Sequence, residues 1–277
     1  MYDAIVLGGG PAGLQAALTL GRIHRSVLLV DSGAYRNAPA QHLHNLIGSD
    51  GLPPAELRAA ARRDLAGYAT VDTADGEVVE VRGEAGAFEV VLPDGRTGTA
   101  RAVVLATGVR DELPDIPGLA EQWGRRVAHC PFCHGHEFAG RRVGILAPDE
   151  ARLAHLSGLL GPITDDLVPI TGLVRVEEHG DGLRLTLDDG SAVDVDGLFA
   201  GSTPRPSPLV EALGLERSAS GGVLVDAMGR TSRPGLYAAG DTAHVRELPG
   251  AMQSIANAIA AGAVAGVAVA ADALAHP

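Results

Sequence analysis

The chain has two cysteines, which stand three residues apart near its middle in the motif Cys130-Pro131-Phe132-Cys133. A CxxC pair near the start of a helix lowers the pKa of one thiol, so that a thiolate forms near neutral pH. The motif therefore favours dithiol/disulfide exchange. Three other interpretations stay open: a zinc site, which would need two further ligands, the C-x-x-C-H attachment of a c-type haem, and a pair of buried structural thiols.

Acid/base residues follow the second cysteine directly. His134 is the next residue, and a histidine can take a proton from a substrate thiol or give one to a leaving thiolate near neutral pH. Glu137 is expected to orient or tune a histidine. His136 is a candidate for the same base, for an orienting group or for a surface residue. The other histidines are expected to be solvated or structural, with a reservation for His44.

The N-terminal 31 residues have the pattern of a dinucleotide-binding βαβ unit. A buried strand is predicted over residues 2–7, then Gly8, Gly10 and Gly13 open a helix, and Asp31 ends the next strand. The first glycine would form the tight turn, the second would let a pyrophosphate approach, and the third would permit close helix–strand packing. Asp31 is expected to accept hydrogen bonds from ribose hydroxyls.

Two further strand ends favour a flavin over a nicotinamide dinucleotide. An apolar strand ends in Ala239-Gly240-Asp241, and a helix is predicted from about Gly250. This resembles the second FAD motif of flavoproteins with two dinucleotide domains. The N-terminus of that helix would stabilise negative charge on a reduced flavin. Thr107-Gly108 after its strand is a further element typical of that fold.

The strand and turn pattern of the first half is repeated in the second. Each half has a short apolar strand, a hairpin with an Asp-Gly turn, and a strand that ends in glycine. Proline-rich connections lie on either side of the second module. We therefore predict an α/β fold with a discontinuous first domain at 1–112 and 203–277, and a smaller inserted domain at 113–202 that carries the CxxC motif.

Composition excludes several classes of function. The 34 acidic and 22 basic residues give a formal charge of −12, which argues against nucleic acid and anionic membrane surfaces as partners. Every basic residue is an arginine, so Schiff-base chemistry and a P-loop lysine are excluded. The apolar run from Ala251 to Ala275 is built mainly from alanine and glycine, and we expect it in a core rather than in lipid. We expect no signal peptide and a cytoplasmic protein.

Together these motifs resemble the low-molecular-weight thioredoxin reductase family, in the same order over nearly the whole chain. Within that family, the run from Cys130 to Glu137 is similar to the small-molecule dithiol oxidases of the gliotoxin and holomycin type. Thioredoxin reductases proper have an aspartate where His134 stands. The stretch from Asp31 through Tyr35-Arg36-Asn37 also looks more like the oxidase branch.

The resemblance implies residue roles and a homodimer. Cys133 would lie against the flavin, Cys130 would exchange with the substrate, and His134 would be the acid/base. Asn45 would sit near the isoalloxazine, and Met252 and Gln253 would approach its pyrimidine end. The predicted cofactor-binding set is Gly8, Gly10, Pro11, Ala12, Gly13, Asp31, Asn45, Val79, Ala106, Thr107, Gly108, Gly240, Asp241, Met252 and Gln253.

One departure from the family concerns NADPH. The second fingerprint should follow the strand at 143–146, but the chain has Ala147-Pro148-Asp149-Glu150 there. Asp149 falls where Gly10 stands in the first module, so a carboxylate would face the pyrophosphate, and Pro148 removes an N–H donor. We therefore predict that NADPH is not bound in the family manner.

Without NADPH, two electron routes and one other class of protein remain. A dithiol, either a small molecule or a thioredoxin-like protein, would reduce the cysteine pair, and O2 would accept the electrons through FAD. The alternative is a disulfide reductase supplied by ferredoxin or a second flavin. A flavin-bound redox sensor without turnover is the third hypothesis.

Overall fold

The structure is a computed structural model that describes residues 1–275, and these divide into two compact units. The first unit comprises Met1–Arg36, Ala55–Arg110 and the chain from Pro204. The second comprises Asn37–Pro54 and Asp111–Thr203. The last two residues of the predicted segment 203–277 lie outside the described residues.

Strands and helices alternate at the start of each unit, and runs of consecutive strands follow. The helices are α1 (Pro11–Gly21), α2 (Pro54–Leu65), α3 (Leu119–Gln122), α4 (Pro131–His134), α5 (Glu150–Leu160), α6 (Pro208–Ala212) and α7 (Ile255–Ala275). The strands are β1 (Tyr2–Leu7), β2 (Val27–Asp31), β3 (Val71–Asp75), β4 (Glu80–Glu84), β5 (Ala87–Val91), β6 (Thr97–Leu105), β7 (Val109–Glu112), β8 (Val127–Ala128), β9 (Arg142–Leu146), β10 (Asp166–Pro169), β11 (Leu173–His179), β12 (Gly182–Leu187), β13 (Ala192–Val195), β14 (Gly197–Ala200), β15 (Thr203–Pro206), β16 (Val223–Val225), β17 (Leu236–Ala238) and β18 (Ala243–Val245).

The first unit is built on a parallel sheet. Strands β3, β2, β1 and β6 are neighbours in that order, and β17 pairs with β6 in parallel. The antiparallel strands β5 and β4 continue from β6. Four consecutive residues of β1, from Ala4 to Leu7, are buried, as expected for a parallel strand that is covered on both faces.

The second unit repeats this layout on a smaller scale. Its parallel sheet has the order β10-β9-β14-β8, and the antiparallel strands β11, β12 and β13 form a separate layer. Between β9 and β11 the chain has one helix and one short strand, as the sequence predicts for a truncated module. The predicted α/β fold with two related dinucleotide-type modules is confirmed.

Helix α7 packs on α1 through small residues. A Cβ on Gly262 would overlap the carbonyl of Ala12, and a Cβ on Gly266 would lie 2.9 Å from the Cβ of Thr19. The helix is long and apolar enough to cross a membrane by length and composition alone, but its glycines fit the surface of α1. It begins at Ile255, later than the predicted start near Gly250.

Residues 37–54 depart from the predicted domain division. The sequence places them in the first domain, but the structure groups Asn37–Pro54 with Asp111–Thr203. The reason is contact with residues distant in sequence. A Cβ on Gly124 would lie 2.9 Å from the Cβ of Pro39, and His44 pairs with Glu137. Hydrophobic patterning along the chain does not encode such pairings.

Candidate functional site

In the first unit, the glycine motif forms a tight turn at the carboxyl end of β1. Gly8 has a φ of +111°, and a Cβ there would overlap the carbonyl of Ala106. A Cβ on Gly13 would overlap the carbonyl of Gly8. Because β1 and β6 are parallel neighbours, their ends meet here, and only glycine permits this close approach.

The N-terminus of α1 is open. Gly10 is its N-cap without a side-chain cap, Pro11 occupies the first turn, and that turn holds no acidic residue. A Cβ on Gly10 would meet no heavy atom of the described chain within 4 Å. Backbone N–H groups at such an end favour an anion, so this turn fits the pyrophosphate of a dinucleotide.

Asp31 is buried at the end of β2, with 3% of its surface exposed. One carboxylate oxygen accepts from the N–H of Gly33 at 3.0 Å, and the other accepts from the hydroxyl of Tyr35 and from Arg62. Burial of the carboxylate opposes its charged form and would raise its pKa. The hydrogen bonds from Tyr35 and Gly33, a further hydrogen bond from the backbone of Gly9 and the charge of Arg62 outweigh burial, so the pKa of Asp31 is lowered. A ribose hydroxyl would have to share an oxygen with these donors, and the predicted ribose contact stays a prediction.

The predicted second motif lies at the same edge of the sheet, because β17 runs parallel to β6. Gly240 has a φ of +70°, and its Cβ would lie 2.8 Å from the Cβ of Ala12. The hydroxyls of Thr107 and Thr242 are 3.3 Å apart, and Thr242 also donates to the carbonyl of Gly108 at 3.3 Å. The segment after β17 therefore lies against the glycine turn that follows β1, although the two are far apart in sequence.

Asp241 has a partner that the sequence analysis did not select. Nη1 of Arg36 lies 2.7 Å from Oδ2 of Asp241 and 2.8 Å from Oε1 of Gln253. Gln253 and Met252 precede α7 rather than beginning it, and the carbonyl of Met252 accepts from Asn257 at 2.6 Å. The sequence offered one signal for Arg36, its place in the stretch that resembled the oxidase branch.

Two further predicted cofactor residues have local contacts of their own. Val79 is 49% exposed, and its N–H donates to the carbonyl of Val91. Asn45 belongs to the second unit, where it has a φ of +60° and its N–H donates to Asp50 at 2.7 Å. Both stay predictions.

In the second unit, Cys130 and Cys133 form a disulfide with a Cα–Cα separation of 5.3 Å. Cys130 is the N-cap of α4, and its carbonyl accepts from the N–H groups of Cys133 and His134, both at 3.1 Å. Both cysteines are partly exposed, and Phe132 between them is 66% exposed. Because the two sulfurs are bonded to each other, they are not thiolate ligands of a metal in this state, and their role as a redox pair stays a prediction.

His134 is half-buried, and its ring has the properties of a base. Burial is the main cause that lowers the pKa of His134 below the ordinary histidine value. The charge of Glu137 and a hydrogen bond to the backbone of Gly124 oppose this shift, and the charge of His44 adds to it. Its Nδ1 atom is buried and has no hydrogen-bond partner among the described residues. The lowered pKa leaves the ring neutral at pH 7, with Nδ1 as the ring nitrogen that is not engaged by the described residues.

His44 joins this group, although the sequence analysis gave it only a reservation. Its Nε2 lies 3.3 Å from Oε1 of Glu137, and its Nδ1 lies 3.6 Å from Oδ2 of Asp50. Its position beside Asn45 was the only signal available. His136 is exposed, so the structure places His134, rather than His136, in a protected setting.

The N-terminus of α5, the counterpart of α1 in the second unit, is closed. Asp149 is the N-cap of α5, and its carboxylate accepts from the N–H of Arg152 at 2.7 Å. Glu150 adds a second acidic residue in the first turn. A pyrophosphate here would meet carboxylates where α1 offers open backbone N–H groups, so these residues do not fit a pyridine nucleotide.

Comparison with protein families and curated sequences gives a consistent result. Residues 2–144 and 166–262 match the model for pyridine nucleotide-disulphide oxidoreductases. The chain is 33% identical to thioredoxin reductase tcpT of Claviceps purpurea, over 96% of this chain and 92% of that protein. It is 36% identical to thioredoxin reductase aclD of Aspergillus oryzae, over 87% of this chain and 88% of that protein.

Solved structures agree over the full length. An oxidoreductase from Agrobacterium tumefaciens is 33% identical with a TM-score of 0.86, covering 100% of this chain and 99% of that one. HlmI is 35% identical with a TM-score of 0.88, covering 99% of this chain and 93% of that one.

Proposed function

The chain belongs to the pyridine nucleotide-disulphide oxidoreductase family, and from that premise we propose that it is an FAD-dependent dithiol oxidase. It is a thioredoxin reductase-like flavoprotein oxidoreductase. The finer proposal is that Cys130 and Cys133 close a disulfide in a dithiol substrate, and that O2 takes the electrons and becomes H2O2.

The cysteine pair carries out two exchange steps. A substrate thiolate attacks the sulfur of Cys130, the Cys130–Cys133 bond breaks, and the electron pair leaves on Cys133. The second substrate thiolate then attacks the mixed disulfide, so that Cys130 leaves as a thiolate and the substrate disulfide closes. The substrate has lost two electrons and two protons. Re-forming the Cys130–Cys133 bond releases two electrons, and bound FAD would supply the acceptor that lets O2 take them, together with two protons, as H2O2.

His134 accepts and returns the protons that these exchange steps release. Because burial lowers its pKa, the ring is neutral at pH 7 and can take a proton from a substrate thiol. The backbone N–H of His134 donates to the carbonyl of Cys130, so this residue belongs to the same helical turn as the disulfide. Glu137 then stabilises the imidazolium by its charge.

FAD supplies a two-electron acceptor that O2 can re-oxidise. The chain's own residues would hold it at the carboxyl edge of the first unit's sheet. The open turn at Gly10 would bind the pyrophosphate, Gly8 and Gly240 would allow close approach, and Asp241 would contact the ribityl region. The support for this is geometric, since a side chain at either glycine would overlap the neighbouring backbone or Ala12.

The observation that carries the oxidase direction is the closed N-terminus of α5. A reductase supplied by a pyridine nucleotide would bind it at this helix end, and the carboxylate of Asp149 occupies that end. With that source removed, the substrate dithiol itself is the reductant. A cytoplasmic location, a homodimer and a substrate that is a small dithiol or a thioredoxin-like protein are further parts of this proposal.

Anaerobic flavin bleaching tests the proposal. The purified protein receives excess NADPH or excess dithiothreitol, and the flavin absorbance at ~450 nm is followed. We expect dithiothreitol to bleach the flavin and NADPH to leave it unchanged. Air should then restore the colour with formation of H2O2. The variants Cys130→Ser and Cys133→Ser should lose the reaction with dithiothreitol. Prompt bleaching by NADPH would instead identify a compact NADPH-dependent reductase.

A dithiol reaction that does not return electrons to O2 would favour a second candidate. That candidate is a disulfide reductase that receives electrons from ferredoxin or another flavin. A flavin that neither reagent bleaches would identify a redox sensor without turnover, and each of these two results contradicts the oxidase proposal.

A further inference from the structure

Arg36 links three segments of the first unit at the predicted cofactor edge. It follows β2, and it contacts Asp241 and Gln253, which come after β17 and before α7. Nη1 lies 2.7 Å from Oδ2 of Asp241 and 2.8 Å from Oε1 of Gln253. The side chains of Arg36 and Asp241 are 17% and 20% exposed. This is a partly buried ion pair between residues far apart in sequence.

The charges at this edge pose a problem for a dinucleotide. Asp31 and Asp241 both lie at the carboxyl ends of parallel strands, and a pyrophosphate adds further negative charge. Like charges that are partly shielded from water repel strongly over a few Å. Arg62 already pairs with Asp31, so the cation paired with the second carboxylate is Arg36. The chain has no lysine that could replace it.

Guanidinium chemistry suits this position. The group is planar, stays charged at any physiological pH, and presents several N–H donors in a fork that matches carboxylate and phosphate oxygens. Its bond to Gln253 holds it against a second side chain of the predicted cofactor set. The same group can therefore keep Asp241 in place and attract a phosphate.

We propose that Arg36 is the cation of the flavin site, which offsets the charge of Asp241 and binds the phosphate portion of FAD. The role rests on the FAD binding in the proposed function and is independent of which substrate reduces the cysteine pair. It makes Arg36 a determinant of cofactor affinity for a ligand with phosphate groups. The alternative is that Arg36 has a purely structural role and only stabilises the fold.

The experiment measures binding without turnover. Apoprotein of the wild type, Arg36→Met and Arg36→Lys is titrated with FAD and with riboflavin, which lacks phosphate, by quenching of flavin fluorescence. The matched control is Arg246→Met, because Arg246 forms an exposed ion pair with Glu216 in the same unit. Circular dichroism melting of each apoprotein reports folding separately.

We expect Arg36→Met to weaken FAD binding about tenfold or more, the loss typical of one charge-assisted hydrogen bond. Riboflavin binding should weaken less than FAD binding, since riboflavin lacks the phosphate and shares only the ribityl contact of Asp241. Arg36→Lys should fall between, because it keeps the charge and loses the fork. Added salt should weaken FAD binding more steeply in the wild type than in Arg36→Met.

Two results would overturn the proposal. In one, Arg36→Met binds FAD as tightly as Arg246→Met and only its melting temperature is lower. This result would identify a purely structural role of Arg36. The other is an equal loss of FAD and riboflavin binding, which would show that phosphate is not the group recognised. If FAD binds as expected but no dithiol is oxidised, the proposed oxidase function fails and the role of Arg36 stands.

Discussion

Replacement of His134 by glutamine should slow flavin reduction by a dithiol in a way that depends on pH. His134 is half-buried beside the disulfide, burial lowers its pKa, and its Nδ1 has no partner among the described residues. The neutral ring at pH 7 can take the proton of an incoming thiol. Glutamine preserves much of the side-chain volume but cannot act as a base.

The size of the effect follows from the thiol that needs ionising. A thiol with a pKa of about 8.5 is only about 3% thiolate at pH 7. Assistance from a base that offsets the cost of this ionisation is therefore worth at most roughly 30-fold at pH 7. At about pH 9.5 the same thiol is about 90% thiolate, so the deficit of the variant should shrink to roughly twofold or less.

The acid side of the profile tests the sign of the pKa shift. A lowered pKa keeps His134 neutral below the ordinary histidine value of about 6.5, so wild-type reduction should persist into that range before it falls. The unfolded chain binds a proton there that the folded chain excludes. Stability should therefore decrease as the pH falls below about 6.5.

The assay is anaerobic stopped-flow mixing with dithiothreitol, followed at the flavin band from pH 5.5 to 9.5. His155→Gln on the exposed face of α5 is the matched control in the same unit. His136→Gln separates the two histidine candidates, and we expect it to behave like the control because His136 is exposed. A deficit of His134→Gln that stays constant from pH 7 to 9.5, or is under about threefold at pH 7, would refute this reasoning.

Three further predictions concern other contacts. His44→Gln should move the acid limb of the pH profile to higher pH, because the charge of His44 lowers the pKa of His134; pH-dependent flavin reduction measures this. Gly262→Val should cost about 1–3 kcal/mol by overpacking against Ala12, measured by urea unfolding. Asp272→Asn should cost about 1–2 kcal/mol in the same assay, since it weakens two 2.7 Å bonds to Arg230. Unchanged values would contradict each.

The sequence by itself determined the features that depend on neighbouring residues. The turn after β1 needs glycine at Gly8 and Gly13, and both lie within one βαβ unit, so their spacing predicted that unit correctly. The same holds for the disulfide of Cys130 and Cys133 and for the position of Asp149 at the start of α5. In each case the physical cause acts over a few residues along the chain.

Tertiary structure decided the contacts between distant segments. Arg36 and Gln253 are 217 positions apart, and His44 meets Glu137 only because residues 37–54 join the second unit. No periodicity or motif encodes such pairings, since they depend on how separate elements pack. The lowered pKa of His134 belongs here as well, because burial is a property of the folded chain. The residue type indicated His134 as a candidate base, and burial in the folded chain determines its protonation state.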